Sequence, residues 1–200
     1  MTKIKLYGPR MGSSLRAHWV AAEVGIAYET MPVDFAKADN RSDWFLKINP
    51  MGQVPALSNG DFNLAESLAI CSYLIDVAGS DLGGKTAEAR ASAWQWSLWA
   101  ALNLHPHLST LASPMWTQQP LAADVEAAAK ASAAKSLSLL ETHLASRPFV
   151  AGELFSVGDI NVACVCGYAA FSKYDLSVYP AITAWLAKVT SRPAYAKARG

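Results

Sequence analysis

The chain has 200 residues and a formal net charge of +1, with 16% charged and 52% hydrophobic residues. This length allows one large domain or two small ones. The high hydrophobic content excludes a disordered chain, and the balanced charge argues against nucleic acid as a partner.

Two apolar stretches, at 68–78 and 160–171, are interrupted by polar residues or glycine. Both are shorter than the ~18–20 apolar residues of a membrane span, and the N-terminus has no continuous apolar segment of a signal peptide. We therefore expect a cytoplasmic protein with no membrane partner. Three cysteines, Cys71, Cys164 and Cys166, lie in apolar helix-like stretches and are expected to be buried, reduced thiols, and their spacing predicts no metal site.

The N-terminal part alternates between strand and helix patterns. Apolar and polar residues alternate in its strands, the helices repeat apolar residues every three to four positions, and Asn59-Gly60 is typical of a tight hairpin. The predicted order is strand, helix, strand, irregular helix, strand, strand and helix, at residues 3–7, 14–23, 28–33, 35–49, 54–58, 62–64 and 66–77. This order is the outline of a thioredoxin-like α/β domain.

The composition changes near Gly83-Gly84. Alanine occurs 10 times in residues 1–84 and 26 times in residues 85–200, which predicts a second part that is almost entirely helical. The predicted organisation is therefore an α/β domain at 1–80, a linker at 81–87 and an all-α bundle at 88–200. Its helices are expected at residues 86–104, 121–144, 160–171 and 182–191, and a capping arrangement at 156–159.

The segment Asn49-Pro50-Met51-Gly52-Gln53-Val54-Pro55-Ala56-Leu57 resembles the segment before the third strand in cytosolic glutathione transferases. In that family the proline is cis, and the preceding residue, here Val54, pairs through its backbone with the cysteinyl unit of glutathione. The run Glu66-Ser67 is similar to the family's pair at the start of the third helix, which holds the γ-glutamyl group. The resemblance implies that Gln53, Val54, Pro55, Glu66 and Ser67 bind glutathione, with Lys47 or Gln53 on the glycyl carboxylate.

The residue that activates the sulfur is expected between the first strand and the first helix. The run Gly12-Ser13-Ser14-Leu15-Arg16-Ala17-His18 is similar to the bacterial beta class, with Ser13 in place of its cysteine. Ser13 is the first candidate, Ser14 the second and Tyr7 the third. Alignment with the serine-using classes instead places the serine nearer Met11, which is a departure from their pattern. Ser13 could alternatively be only the N-cap of the first helix.

The C-terminal part carries two further family landmarks, at 155–160 and 179–195. Its stretch Asn103-Leu104-His105-Pro106-His107 resembles a beta-class stretch in which a histidine approaches the sulfur, so His105 is a candidate catalytic residue. A structural role at a helix end is the alternative for this histidine. The electrophile pocket is expected to include the apolar side chains Trp99, Leu108, Met115 and Trp116.

The resemblance implies a homodimeric detoxification enzyme that conjugates the thiolate of glutathione, its co-substrate, to hydrophobic electrophiles. No metal is required, because a hydroxyl and a helix N-terminus together suffice to stabilise a thiolate. A protein of the same fold that only binds ligands or acts as a scaffold, with little or no turnover, is the alternative. The same thiolate could also carry out isomerisation or peroxide reduction, and the sequence does not distinguish these two reactions from conjugation.

Overall fold

The computed structural model describes residues 3–200 and divides the chain into two compact units. The first unit runs to Leu82 and also includes Arg192–Gly200, and the second comprises Gly83–Ser191. The last nine residues therefore pack with the α/β unit, whereas the sequence composition predicted that they belong to the helical domain at 88–200. The order of elements confirms the predicted fold class, a thioredoxin-like unit and an all-helical unit.

The first unit contains a four-stranded sheet, whose strands lie in the order β2 (Tyr28–Met31), β1 (Ile4–Tyr7), β3 (Ala56–Asn59) and β4 (Phe62–Ala65). Strand β1 is parallel to β2 and antiparallel to β3, and β3 is antiparallel to β4. Two turns of 3-10 helix at Phe35–Lys37 and Asp39–Arg41 occupy much of the stretch predicted to be irregular. The elements of this unit are β1 Ile4–Tyr7, α1 Ser14–Glu23, β2 Tyr28–Met31, α2 Asp43–Leu46, β3 Ala56–Asn59, β4 Phe62–Ala65, α3 Ser67–Ala78 and α11 Pro193–Arg199.

Strand β2 ends inside the range predicted for it, and strand β3 begins inside its own predicted range. A proline is adjacent to each of these boundaries. Strand β2 ends at Met31 because Pro32 has no N–H to donate to the sheet. Strand β3 begins at Ala56, after Pro55, and so leaves Val54 outside the strand. The ladder then pairs Leu6 with Leu57, and both side chains are fully buried.

Helix α11 is attached to α1 by an aromatic contact and an ion pair. The rings of Trp19 and Tyr195 lie 4.6 Å apart at an angle of 60°. Arg192 donates from Nε and Nη2 to the two carboxylate oxygens of Glu23, both at 2.7 Å. A bidentate pair of this kind fixes direction as well as distance. The C-terminal segment is therefore part of the first unit's packing.

The second unit contains the helices α4 to α10. Its long predicted helix at 86–104 is α4 followed by a π-helical segment at Ala100–Leu104, and the predicted helix at 160–171 is divided near Gly167. The helices are α4 Ala87–Trp99, α5 His105–Ala112, α6 Pro114–Thr117, α7 Ala123–Leu144, α8 Val157–Cys166, α9 Tyr168–Ser172 and α10 Pro180–Thr190.

The core of the second unit includes α8, whose ten residues are all buried, and one stripe of α7. The stripe repeats at helical spacing, which is typical of a helix packed on one face. Its members are Ala129, Ala133, Leu137, Leu140 and Leu144. All three cysteines are buried, reduced thiols, as predicted. Within residues 3–200 no helix combines the length and the apolar character that crossing a membrane requires.

Asp159 joins three segments of the helical unit. Its carboxylate accepts hydrogen bonds from the backbone N–H groups of Val150 and Ser156 and from Trp185 Nε1, each at 2.9 Å. Ser156 also forms the predicted capping box with Asp159 at the start of α8. Burial raises the pKa of Asp159, while these donors oppose that shift. The buried carboxylate therefore holds a loop, the start of α8 and α10 together.

We predict that Asp159→Ala lowers the free energy of unfolding by at least about 3 kcal/mol, because three buried donors lose their acceptor at ~1–3 kcal/mol each. Urea unfolding followed by circular dichroism measures this change. Asp124→Ala, an exposed carboxylate in the first turn of α7, is the matched control and should cost at most ~1 kcal/mol. Equal losses in the two variants would contradict the role of Asp159.

Candidate functional site

The loop between β1 and α1 lies against Val54, and Gly8 makes this approach possible. Gly8 has φ of +123°, a backbone conformation that glycine adopts readily and other residues rarely adopt. A Cβ atom on Gly8 would lie 2.6 Å from Ser14 Oγ and 3.0 Å from Val54 Cβ. The absence of a side chain at this position therefore lets the loop meet the segment before β3.

Ser13 precedes the first residue of α1 but makes no side-chain capping hydrogen bond. Its hydroxyl instead donates to the backbone carbonyl of Val54 at 3.5 Å. The geometry therefore does not support the alternative in which Ser13 serves only as the N-cap. It brings together two residues that are 41 positions apart and were expected, for separate reasons, to belong to one site.

The other two candidates for sulfur activation occupy different surroundings. Ser14 is 1% exposed. Tyr7 is 6% exposed, and its hydroxyl forms a hydrogen bond of 3.1 Å with Ser58 Oγ. The ring of Tyr7 packs near Trp44 and Phe45. Burial of Ser14 and the engagement of Tyr7 in the core favour Ser13, which is half-buried, as the group that meets a ligand.

The segment before β3 is ordered by side-chain hydrogen bonds to its backbone. The peptide bond between Val54 and Pro55 is cis, as the resemblance implies. Asn49 Nδ2 donates to the carbonyl of Gln53 at 2.7 Å, and Asn49 Oδ1 accepts from Met51 N–H at 3.1 Å. Because the ladder begins at Ala56, the backbone of Val54 lies outside it.

Three polar or cationic side chains lie on or beside this segment. Gln53 and Lys47 are exposed, so both can meet a ligand. Arg41, which the sequence analysis did not identify, also lies here: a Cβ atom on Gly52 would be 2.8 Å from its Nη1. Asn40 Nδ2 donates to the Gly52 carbonyl at 3.0 Å and attaches the two loops to each other.

Glu66 and Ser67 form the start of α3. Glu66 is exposed and has φ of +68°, a conformation that is uncommon outside glycine. Its carbonyl accepts the first helical hydrogen bond, from Ile70 N–H at 2.9 Å. Ser67 is 7% exposed, and its Oγ accepts a hydrogen bond from Arg16 Nη1 at 2.9 Å. The N–H groups of this first turn have no partner within the helix, so they favour an anion.

Arg10 holds the β1–α1 loop in place. Its Nη1 donates to the carbonyls of Lys197 and Ala198, both at 3.0 Å, and its Nη2 donates to Thr30 Oγ1 at 3.0 Å. A cation at the end of a helix also interacts favourably with the helix dipole. The C-terminal residues of the first unit therefore determine the position of the loop that carries Ser13.

The candidate residues of the helical unit fall into separate places. His105 begins α5 after the π-helical segment, and its ring lies 4.8 Å from that of Tyr168. The ring of Trp116 lies 6.4 Å from that of Tyr168. Trp99 instead packs on Trp96 at 5.0 Å.

Leu108 and Met115, both predicted to line the electrophile pocket, differ in exposure. Leu108 is 0% exposed and packs in the core, and its place in the pocket stays a prediction. Helix formation at 105–112 places it on the buried side with Leu111 and Ala112. Met115 is 57% exposed and borders a cleft of about 860 Å³ within this unit, together with Leu111 and Tyr174.

His18 lies behind the β1–α1 loop and is 1% exposed. Its Nε2 lies 3.4 Å from the carbonyl of Gly8. A carbonyl only accepts, so the proton of the neutral ring is on Nε2, and Nδ1 has no partner among residues 3–200. Burial, with a smaller effect of Arg10, lowers the pKa of His18 to about 4. The ring is therefore neutral at neutral pH.

Comparisons with known proteins add an independent finding. Residues 2–76 match the family described as glutathione S-transferase, N-terminal domain, and residues 116–188 match the corresponding C-terminal domain. Glutathione S-transferase F9 of Arabidopsis thaliana is 32% identical, covering 96% of this chain and 94% of the relative. Glutathione S-transferase 3 of Zea mays is 33% identical, covering 98% and 93%.

The structure is also similar to a solved structure described as glutathione S-transferase-I bound with the ligand lactoylglutathione. The two chains are 30% identical, each is covered to 98%, and the TM-score is 0.88. The curated relatives named above are plant proteins, so the comparisons do not support the resemblance to the bacterial beta class.

We predict that acid destabilises the protein partly through His18. The pKa is 6.5 in an unfolded chain and about 4 in the folded one, so the unfolded state binds more protons between these values. The contribution is complete above pH 6.5 and is lost as the pH falls toward 4. The free energy of unfolding should fall more steeply for the wild type than for His18→Gln, by up to ~1.4 kcal/mol per pH unit. Parallel curves in urea unfolding would contradict this assignment.

Proposed function

The chain belongs to the glutathione S-transferase family, and on that premise we propose that it conjugates the thiolate of glutathione to hydrophobic electrophiles, with Ser13 stabilising the thiolate. The observation that carries this proposal is the hydrogen bond from Ser13 to the Val54 carbonyl. It brings the candidate sulfur-activating hydroxyl to the backbone that the resemblance assigns to the cysteinyl unit.

The cysteinyl unit of glutathione would pair with the free backbone edge of Val54, as an added strand does at a sheet edge. The sulfur of a cysteine lies close to its own backbone. A cysteinyl unit paired with Val54 would therefore have its sulfur close to Ser13, which contacts the Val54 carbonyl. The Ser13 hydroxyl would then exchange its long bond to the carbonyl, 3.5 Å, for a stronger one to the sulfur anion.

The stabilisation that Ser13 and the start of α1 can give a thiolate is large enough to lower the pKa of the glutathione thiol by ~2 units. A thiol with pKa ~8.5 is only a few per cent ionised at pH 7, and lowering the pKa by ~2 units requires about 2.7 kcal/mol. A hydrogen bond to a charged group contributes ~1.5–3 kcal/mol, and a helix N-terminus ~0.3–1 kcal/mol. Ser13 and the start of α1 can therefore supply the stabilisation, and the nucleophile comes from the co-substrate.

The two ends of glutathione would bind on either side of Val54. The γ-glutamyl carboxylate suits Ser67 and the first turn of α3, and the exposed Glu66 can accept from the γ-glutamyl ammonium. The glycyl carboxylate suits the cationic side chains of Lys47 and Arg41, with Gln53 as a neutral donor. Both assignments are proposals that follow from charge and exposure.

The electrophile would contact exposed or half-exposed apolar side chains of the helical unit, which supplies Trp99, Met115 and Trp116. His105, whose ring lies 4.8 Å from that of Tyr168, remains a candidate catalytic residue of the helical unit. The alternative of a ligand-binding or scaffold protein is not favoured. The curated relatives of this chain match it over nearly their whole length, and they are named as transferases.

We further propose that the enzyme acts as a homodimer in the cytoplasm. Two large apolar side chains near the end of α4, Leu98 and Leu102, are 50% and 71% exposed. Exposed apolar side chains of this size are typical of a surface that a partner covers.

Light scattering at micromolar concentration should give about twice the chain mass of 21.4 kDa for the wild type and a smaller mass for Leu98→Glu with Leu102→Glu. A monomeric wild type would contradict the proposal.

We predict that Ser13→Ala lowers kcat/KM for conjugation at pH 7 by ~10–100-fold, the equivalent of one hydrogen bond to a charged group. The pKa of bound glutathione, read from the thiolate absorbance during a pH titration, should rise toward that of the free thiol. The dissociation constant of glutathione should change little.

Ser14→Ala is the matched control, because it removes a neighbouring hydroxyl that is buried. Its pH–rate profile should coincide with that of the wild type. A normal profile in Ser13→Ala and a shifted one in Ser14→Ala would reassign the role to Ser14.

A further inference from the structure

Arg16 is a buried cation that the residues around it leave largely without partners. It lies in the first turn of α1 and is 4% exposed. Its Nη1 donates to Ser67 Oγ at 2.9 Å. Its Nε and Nη2 atoms are buried and have no acceptor, whether carboxylate, carbonyl or hydroxyl, among residues 3–200.

This arrangement is costly in the ligand-free protein. A guanidinium remains protonated in proteins, so burial does not neutralise it. A buried charge is normally paired, because the loss of hydration is large and an opposite charge offsets it. The uncompensated positive charge of Arg16 therefore favours an anion near the group to which its guanidinium donates a hydrogen bond, Ser67 at the start of α3.

The direction of the hydrogen bond determines what Ser67 can do. Arginine only donates, so Ser67 Oγ must accept, and the hydrogen of the hydroxyl points elsewhere. The first-turn N–H groups of α3, a helix of 12 residues, have no partners within the helix. The hydroxyl and these N–H groups can therefore donate together to one anion, with the charge of Arg16 behind the hydroxyl.

We propose that Arg16 is a positioning residue that orients the Ser67 hydroxyl as a donor and selects glutathione by the charge of its γ-glutamyl carboxylate. This inference rests on the proposed function, since it concerns the same co-substrate. Arg16 acts through Ser67 and its charge, because its own unpartnered nitrogens have no exposed surface that a ligand could touch. Its effect should therefore be on binding and discrimination, while the Ser13 hydroxyl acts on the sulfur.

The test compares glutathione with γ-aminobutyryl-cysteinyl-glycine, which keeps the amine, thiol and glycyl carboxylate but lacks the γ-glutamyl carboxylate. Isothermal titration should show that the wild type binds this analogue ~10–100-fold more weakly than glutathione, the size expected for charged hydrogen bonds. Arg16→Met, which removes the charge and retains an apolar stem, should bind the two within ~3-fold of each other. Its kcat at saturating glutathione should stay close to that of the wild type.

Arg192→Met is the matched control, because it removes a guanidinium of the same unit that is fully ion-paired with Glu23. It should keep the wild-type preference for glutathione. Ser67→Ala retains Arg16 but removes the hydroxyl, and it should lose most of the preference. Thermal unfolding of ligand-free Arg16→Met should occur at or above the wild-type midpoint, because an unpaired buried charge has been removed.

A lower unfolding midpoint in Arg16→Met together with an unchanged preference would show a structural role alone and overturn the proposal. A wild type that binds the analogue as tightly as glutathione would overturn it whether or not the variant folds. A wild type that binds neither compound would instead refute the proposed function on which the inference rests.

Discussion

The close approach of the β1–α1 loop to Val54 is the contact on which the rest of the site depends. It requires Gly8 to have no side chain, because any Cβ atom there would collide with Ser14 Oγ. With the loop in this position, Ser13 reaches the Val54 carbonyl and α1 carries Arg16 to the start of α3. A displaced loop would separate the sulfur site from the two sites for the ends of glutathione.

The site combines a small number of strong donors with a rigid frame. In the proposed complex, Ser13, the first turn of α3 and the buried charge of Arg16 would all act on negative groups, namely a thiolate and a carboxylate. The C-terminal helix α11 contributes through Arg10, which donates hydrogen bonds to two of its backbone carbonyls and so holds the same loop. The last residues of the chain therefore help to position the loop on which the proposed binding of the tripeptide depends.

The sequence predicted the elements, and it identified candidate glutathione-binding residues, because the signals for both are local. Strand alternation, the hairpin Asn59-Gly60 and the run Glu66-Ser67 each occupy a few adjacent residues. The proposed role of Arg16 was not predictable, because helical spacing shows that it lies on α1 but not that its guanidinium is buried beside Ser67. The buried state of Leu108 likewise depends on which helices pack around it, which spacing within a single helix does not reveal.

A crystal structure of the protein with glutathione would show whether the tripeptide lies along Val54 with its thiolate at Ser13. We expect the cysteinyl N–H and C=O to pair with the backbone of Val54, the sulfur to lie within ~3.5 Å of Ser13 Oγ, and the γ-glutamyl carboxylate to contact Ser67. A complex in which the sulfur faces Tyr7 or Ser14, or in which the tripeptide occupies another surface, would refute this mode of binding.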